Sequence, residues 1–206
     1  MVQGDFPLFP LGIVALPSEA VPLHIFEPRY RTMIAECLEN GQEFGIVWAS
    51  DDGLRQIGCA CEIAEVLERH DDGRMDILTR GTRPFRLVEA HDDDLPYPSG
   101  TVEWLDDKAE QLDDATVEAA HEAYATLVQQ ATDAEPERER LDAMSAYDMA
   151  ATVDFGLEAK QGLLSLRSEN ARLRLVTRLL RAALKRLDFI ERAQARARSN
   201  GKVHFG

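Results

Sequence analysis

FPLFPLGIVALPSEAVPLHIFEPRYRTMI, residues 6–34, sets five prolines among large apolar side chains. Each proline fixes its own φ and pushes the residue before it toward extended geometry. Phe6 and Leu8, then Ile13 and Leu16, therefore read as short extended pieces at sheet edges or strand ends. Val21, Leu23 and Ile25 alternate with Pro22 and His24, which predicts a strand with one apolar face. The period then changes. Pro28 suits the first turn of a helix, Tyr30, Met33, Ile34, Cys37 and Leu38 follow at helical spacing, and Asn40-Gly41 ends the run. The stretch reads as a strand feeding a helix of about three turns.

Working outward, the following segments look like further strands. FGIVWAS (44–50) stops at Asp51-Asp52-Gly53, and RQIGCACEIAEVLERH (55–70) turns at Asp71-Asp72-Gly73 onto RMDILTRG (74–81). RPFRLVEA (83–90) and TVEWL (101–105) complete the set. Short strands joined by turns around one inserted helix predict a small closed or partly closed β-barrel over residues 1–106. From residue 107 the period is helical. Leu112, Ala120, Tyr124 and Leu127 mark one amphipathic helix, broken by Pro136. A second helix is expected from about Leu141 to Phe155 and a short one over Leu157–Leu164. A long third helix follows an N-cap at Ser168, with Leu173, Val176, Leu180, Leu184, Leu187 and Ile190 as its stripe. The fold class is α+β, with a helical part over 107–198 and a fraying tail at 199–206.

A chain of 206 residues with 45% hydrophobic content can bury a substantial core. It has no run of the ~18–20 apolar residues that a membrane span requires, and its N-terminus does not resemble a signal peptide. Three cysteines fit thiols in a reducing compartment, so the expected location is the cytoplasm. The net charge of −14 is unevenly spread: residues 160–206 carry 12 Lys+Arg against 3 Asp+Glu, leaving 11 against 34 for residues 1–159. An acidic body repels phosphate backbones, which makes nucleic acid an unlikely partner. The basic helix is expected to pack on its own acidic neighbours.

Several matched segments, in order, carry a resemblance. The opening stretch, FGIV (44–47), IGCACEIAEVLERHDDGRMDILTRGTRPFRL (57–87) and SAYDMAATVDFGLEAKQGLLSLRSENARLRLVTRLL (145–180) together resemble the N-terminal substrate-binding domain of Lon proteases. PLHIFEPRYR (22–31) looks most like stand-alone bacterial versions and the Lon-like domain of some RING-finger proteins. The resemblance implies a PUA-like β-barrel followed by a helical subdomain, and recognition of polypeptides rather than chemistry. The ATPase and protease modules of a complete Lon protease have no counterpart here. The Gly201-Lys202 pair is followed by valine and lacks the upstream glycine of a phosphate-cradling loop.

The candidate chemical groups read mostly as structural. Cys59 and Cys61 share one face of a strand, with Cys37 on a nearby helix, but a structural zinc site takes four ligands, so core thiols are the reading. His24 with Glu27 could serve as an acid-base pair, yet no Gly-x-Ser-x-Gly turn accompanies it. His70, His91, His121 and His204 are scattered and suggest no metal constellation. Glu27 and Arg31 stand at i, i+4 on the helix start. Arg80, Arg83 and Arg86 are expected in internal ion pairs. No catalytic, cofactor or metal residue is assigned. Large apolar residues of the opening stretch in excess of what the barrel encloses would form a binding patch, with Leu11, Ile13, Leu16, Phe26 and Tyr30 as candidates for contacting polypeptide. The favoured function is a non-catalytic polypeptide-recognition module, adaptor or chaperone-like, gripping clients in an apolar groove between barrel and helices. An RNA-binding PUA-like protein and a small-molecule hydrolase are the alternatives. The expected state is monomer or homodimer.

Overall fold

The computed structural model describes residues 1–91 and 95–200. Seven strands and one helix come first: β1 (Val2–Leu11), β2 (Ala20–Ile25), α1 (Pro28–Asn40), β3 (Phe44–Ser50), β4 (Gly53–Leu54), β5 (Ile57–Arg69), β6 (Met75–His91) and β7 (Ser99–Trp104). Five helices follow: α2 (Asp114–Thr132), α3 (Arg138–Asp142), α4 (Ala146–Ala150), α5 (Leu157–Leu164) and α6 (Glu169–Asn200).

The strands run β1-β7-β6-β5-β3, and a further β1–β3 pairing closes them into a ring. β1 is thus no edge strand. Over Val2–Pro7 it pairs antiparallel with β7, and over Leu8–Leu11 it pairs parallel with β3. Because the two partners flank different halves of the strand, Pro7 and Pro10 each stand where only one neighbour claims the ladder, and a missing N–H is tolerated. β2 pairs with β6 alone, with Val21 and Leu23 half-buried, Ile25 buried and Pro22 and His24 facing out, as their alternation predicts.

Each ring strand contributes to one small cluster: Phe6 and Leu8, Val47, Ala60, Phe85, and Val102 with Trp104. Phe6, Phe85 and Trp104 fill it with edge-on ring contacts at centroid distances of 5.6, 5.3 and 6.2 Å. The larger core lies on the other side of the wall. There Phe9, Ile25, Ile46, Cys59 and Ile77 from the strands and Leu16 from the β1–β2 loop meet Met33 and Ile34 of α1 and Ala120, Met149, Leu163, Leu173, Val176 and Leu180 of the later helices. α1 ends as its sequence indicates, with Gly41 at φ 60° donating its N–H to the Cys37 carbonyl.

Four expectations need correction. RMDILTRG and RPFRLVEA form one strand, the 17-residue β6, because a bulge opposite Ala60/Cys61 absorbs the extra residue and keeps the ladder running through Gly81. The helix expected over 141–155 is two short ones. Ser145 caps α4 with its side chain accepting from the Asp148 N–H while Asp148 accepts from the Ser145 N–H, a capping box that starts a new helix. The long helix is longer than expected, since 199 and 200 continue α6, and the rest of the expected tail, 201–206, lies outside the described residues. The N-cap at Ser168 stands, its Oγ accepting from the Ala171 N–H at 3.1 Å. Leu112 falls before α2 and is exposed.

The loop between β1 and β2 is pinned at Gly81. Ser18 N–H donates to the Gly81 carbonyl at 2.8 Å and Gly81 N–H donates to the Glu19 carbonyl at 2.9 Å. A Cβ at position 81 would overlap the Leu16 carbonyl oxygen, and backbone on both sides leaves no soft partner to yield. Gly81→Ala is expected to lower stability by about 3 kcal/mol, measured by urea denaturation; a loss within error of zero would show that the loop is not held there.

Candidate functional site

The five apolar candidates of the opening stretch do not share a surface. Leu16 is 0% exposed and Tyr30 is buried, its ring stacked on Phe9 at 4.1 Å. Both seal the core and cannot meet a ligand. Leu11 and Ile13 are half-buried against the same core. Phe26 alone of the five is exposed, at 59%, with its ring stacked on His24 at 5.9 Å. The tight loop anchored on Gly81 turns Leu16 inward, and α1 lays Tyr30 on β1.

Between barrel and helices, where an apolar groove was expected, lies a cleft of about 590 Å³ with a charged floor. Arg172 of α6, 3% exposed at its side chain, donates to Asp107, to Glu169 Oε2 at 2.8 Å and to the Leu166 carbonyl at 2.9 Å, with its guanidinium 4.5 Å from the Tyr147 ring. Burial works against that charge, but the hydrogen bonds the guanidinium donates to the Asp107 and Glu169 carboxylates outweigh it and hold its pKa above the ordinary value. The floor is internally satisfied. A second pair, Lys160 with Glu19, ties α5 to the β1–β2 loop, and Glu19 Oε2 also accepts from the Leu16 N–H at 2.9 Å. Among the described residues Arg172 is the one α6 cation in an ion pair, so over residues 169–194 the other basic side chains of the helix are not neutralised by acidic neighbours.

The apolar groove is elsewhere. Val128 of α2, Val153 and Phe155 of the α4–α5 connection, and Leu179, Leu187 and Ile190 of α6 line a hollow of about 740 Å³. Its cause is a mismatch of length. α6 spans about 48 Å at 1.5 Å per residue, and its apolar stripe continues past Leu180, the last fully buried position, through half-buried Leu184 and Leu187 to Ile190, which is 41% exposed. Phe189, at 73%, stands beside it. The stripe was legible in the sequence; that its far end outruns its partners was not.

The polar groups are arranged differently from their sequence reading. His24 is partnered by Asp76, not Glu27: its Nδ1 lies 2.7 Å from Asp76 Oδ1, while His70 Nε2 lies 2.9 Å from Asp76 Oδ2. The hydrogen bonds from His24 and His70 hold the Asp76 carboxyl below its usual range. Two of the seemingly scattered histidines thus converge on a carboxylate that sequence reasoning passed over; the register His24↔Asp76 across β2 and β6 is what joins them. Glu27 pairs with Arg29 at 3.0 Å instead of Arg31. Arg83 pairs with Glu43 at 3.1 Å and Arg86 reaches Glu103 at 4.0 Å, as expected, whereas Arg80 is exposed and makes no ion pair among the described residues. Buried His121 places Nε2 3.0 Å from the Met144 carbonyl. All three cysteines are free and buried. Burial pushes the Cys37 thiol up to about 11, with the Glu36 charge adding to it, and burial followed by the hydrogen bond with Cys61 raises Cys59 well above its ordinary value.

Residues 5–182 match the family described as the ATP-dependent protease La (LON) substrate-binding domain. Lon protease 1 of Hydrogenovibrio crunogenus is 24% identical over 211 residues, covering 90% of this chain and 24% of that protein. The Lon protease of Anaeromyxobacter dehalogenans is 25% identical over 198 residues, covering 87% of this chain and 23% of that protein. The chain therefore spans about a quarter of the length of these relatives. The crystal structure of a Lon N-terminal domain protein from Xanthomonas campestris superposes with a TM-score of 0.65 at 25% identity, over 84% of this chain and 96% of that one. The N-terminal domain of a Mycobacterium avium complex Lon protease gives 0.65 at 17% identity, over 85% and 97%, a likeness of fold.

Two outcomes follow from these environments. At pH 8 an aromatic disulfide reagent is expected to leave the folded chain unmodified over a time in which the urea-unfolded chain reports three thiols; rapid native labelling would contradict their burial. Arg172→Ala is expected to cost about 3 kcal/mol in a urea melt, the low end for breaking a buried pair because Asp107 is half in solvent. A loss below about 0.5 kcal/mol would match an exposed pair instead.

Proposed function

The chain belongs to the Lon substrate-binding-domain family, and from that premise we propose that it is a non-catalytic polypeptide-recognition module that holds apolar segments of unfolded or client proteins, as an adaptor or chaperone-like protein. The observation that carries this reading is the hollow between α2, the α4–α5 connection and α6, of about 740 Å³ and lined mostly by apolar side chains, with Asp154 and Arg186 as its charged members. An extended apolar segment gains by burying side chains against such a surface, and a groove with few charged groups at its base imposes little sequence requirement. Ile190 in the lining, 41% exposed, supplies a large apolar side chain of the kind that dominates binding energy in such contacts. The barrel is the rigid support from which α6 projects. The resemblance that suggests a PUA-like barrel supports the same reading, and whether a separate protease takes the bound client is a further part of the adaptor proposal.

Arg174, Arg178 and Arg181 give the nucleic-acid reading its footing. They line a second hollow of about 720 Å³ over Ala115, Ala119 and Gly162 and have no ion pair among the described residues. Retention on RNA that falls steeply with salt would favour that reading. We place the protein in the cytoplasm, where a reducing medium suits its three buried thiols, and take it as a monomer or homodimer.

Fluorescence anisotropy with labelled apolar peptides tests the groove. Ile190→Glu is expected to weaken binding at least ~10-fold, about 1.4 kcal/mol, while Phe26→Glu, outside the groove's lining, leaves it unchanged. Equal affinity for the Ile190 variant and the parent would remove the groove from the reading, and no peptide binding or suppression of client aggregation by the parent would remove the reading itself.

A further inference from the structure

His24, His70 and Asp76 come from β2, the β5–β6 turn and the start of β6, and their ligand atoms all lie within 4.8 Å of one another. We propose that they form a binding site for one divalent transition-metal ion of the zinc class. One carboxylate sits between two imidazoles, with Asp76 Oδ1 on His24 Nδ1 at 2.7 Å and Oδ2 on His70 Nε2 at 2.9 Å. Two nitrogens and one carboxylate oxygen are the donor types that zinc, nickel and copper take, whereas calcium and magnesium take oxygen.

The geometry is near what an ion requires. A tetrahedral ion with bonds of ~2.0–2.1 Å sets its donors about 3.3 Å apart. The backbone under the three residues is fixed, by the His24↔Asp76 register and by the His70 N–H donating to the Arg74 carbonyl at 2.9 Å. The side chains are 45, 28 and 33% exposed, so they can close the remaining distance by rotation without disturbing the core. An ion replaces the hydrogens that now bridge each ring to Asp76, and a neutral imidazole yields its nitrogen by carrying its proton on the other one. For His70 that other nitrogen, Nδ1, already faces Glu68 Oε1 at 3.7 Å. A carboxylate behind a ligating histidine fixes the ring and strengthens it as a donor. Phe26, stacked on His24, limits the swing of the second ring. The acidic body, 34 Asp+Glu against 11 Lys+Arg in residues 1–159, adds a field that draws cations. With three protein ligands the fourth position is left to water, and the ion would clamp β2 to the β5–β6 hairpin.

The test uses the untagged full chain, stripped with a chelating resin and titrated with zinc chloride against a chromophoric competitor chelator. One equivalent is expected to bind, with the His24 and His70 ring resonances shifting together in NMR spectra and thermal unfolding rising by several degrees. His24→Asn and His70→Asn are each expected to weaken binding at least 10-fold, with the variants still folded in excess chelator because neither side chain belongs to the hydrophobic core. His91→Asn, away from the cluster, is expected to bind as the parent does. No zinc bound by the parent, or equal uptake by the His24→Asn/His70→Asn double variant, would overturn the proposal.

Discussion

Strand β1 holds two different partners along its length, and the ring of strands exists because it does. Its first half completes the antiparallel sheet through β7, and its second half turns to the parallel partner β3, joining the two ends of the sheet. A strand that served one neighbour throughout would leave an open edge with unpaired backbone groups. The switch also explains how prolines sit inside a sheet. It brings Phe6 and Leu8 to the ring's interior beside Phe85 and Trp104, and puts Phe9, one residue on, against Tyr30 of α1 outside it. One strand thereby feeds both cores.

The helices are fastened to that ring by few but specific contacts. Glu19 accepts from a backbone N–H of the opening loop and from Lys160 of α5, so a loop constrained by Gly81 is also the anchor for a helix far along the chain. Arg172 does the same for α6 through Asp107. These pairs occupy the junction between barrel and helices, which is why the junction is charged and the apolar hollow lies beyond it. The hollow arises because α6 outlasts the elements that cover it, so its stripe is core at Leu173 and surface at Ile190.

Much of the site was legible only in pieces. The apolar residues of α6 were visible from their spacing, as was the core role of the cysteines. The pairing of His24 with Asp76 was not, since 52 residues separate them and only the antiparallel register of β2 with β6 sets them side by side. Leu16 and Tyr30 failed as surface candidates for a related reason. Apolar spacing is the same whether a face meets solvent or a packed neighbour, and only that neighbour decides which.

What the sequence determined by itself was local: the helix from Pro28 to Gly41, the β5–β6 turn, the cap at Ser168, the α+β class, and the family through its ordered segments. Period and capping are properties of a few consecutive residues, whose backbone preferences survive in any context. Tertiary structure alone decided that β1 closes a ring, that β6 runs unbroken through Gly81, that Leu16 points inward, and that two histidines share a carboxylate. Each of these depends on pairings between distant segments. Their register is fixed by the summed burial of whole strands and helices rather than by any short stretch.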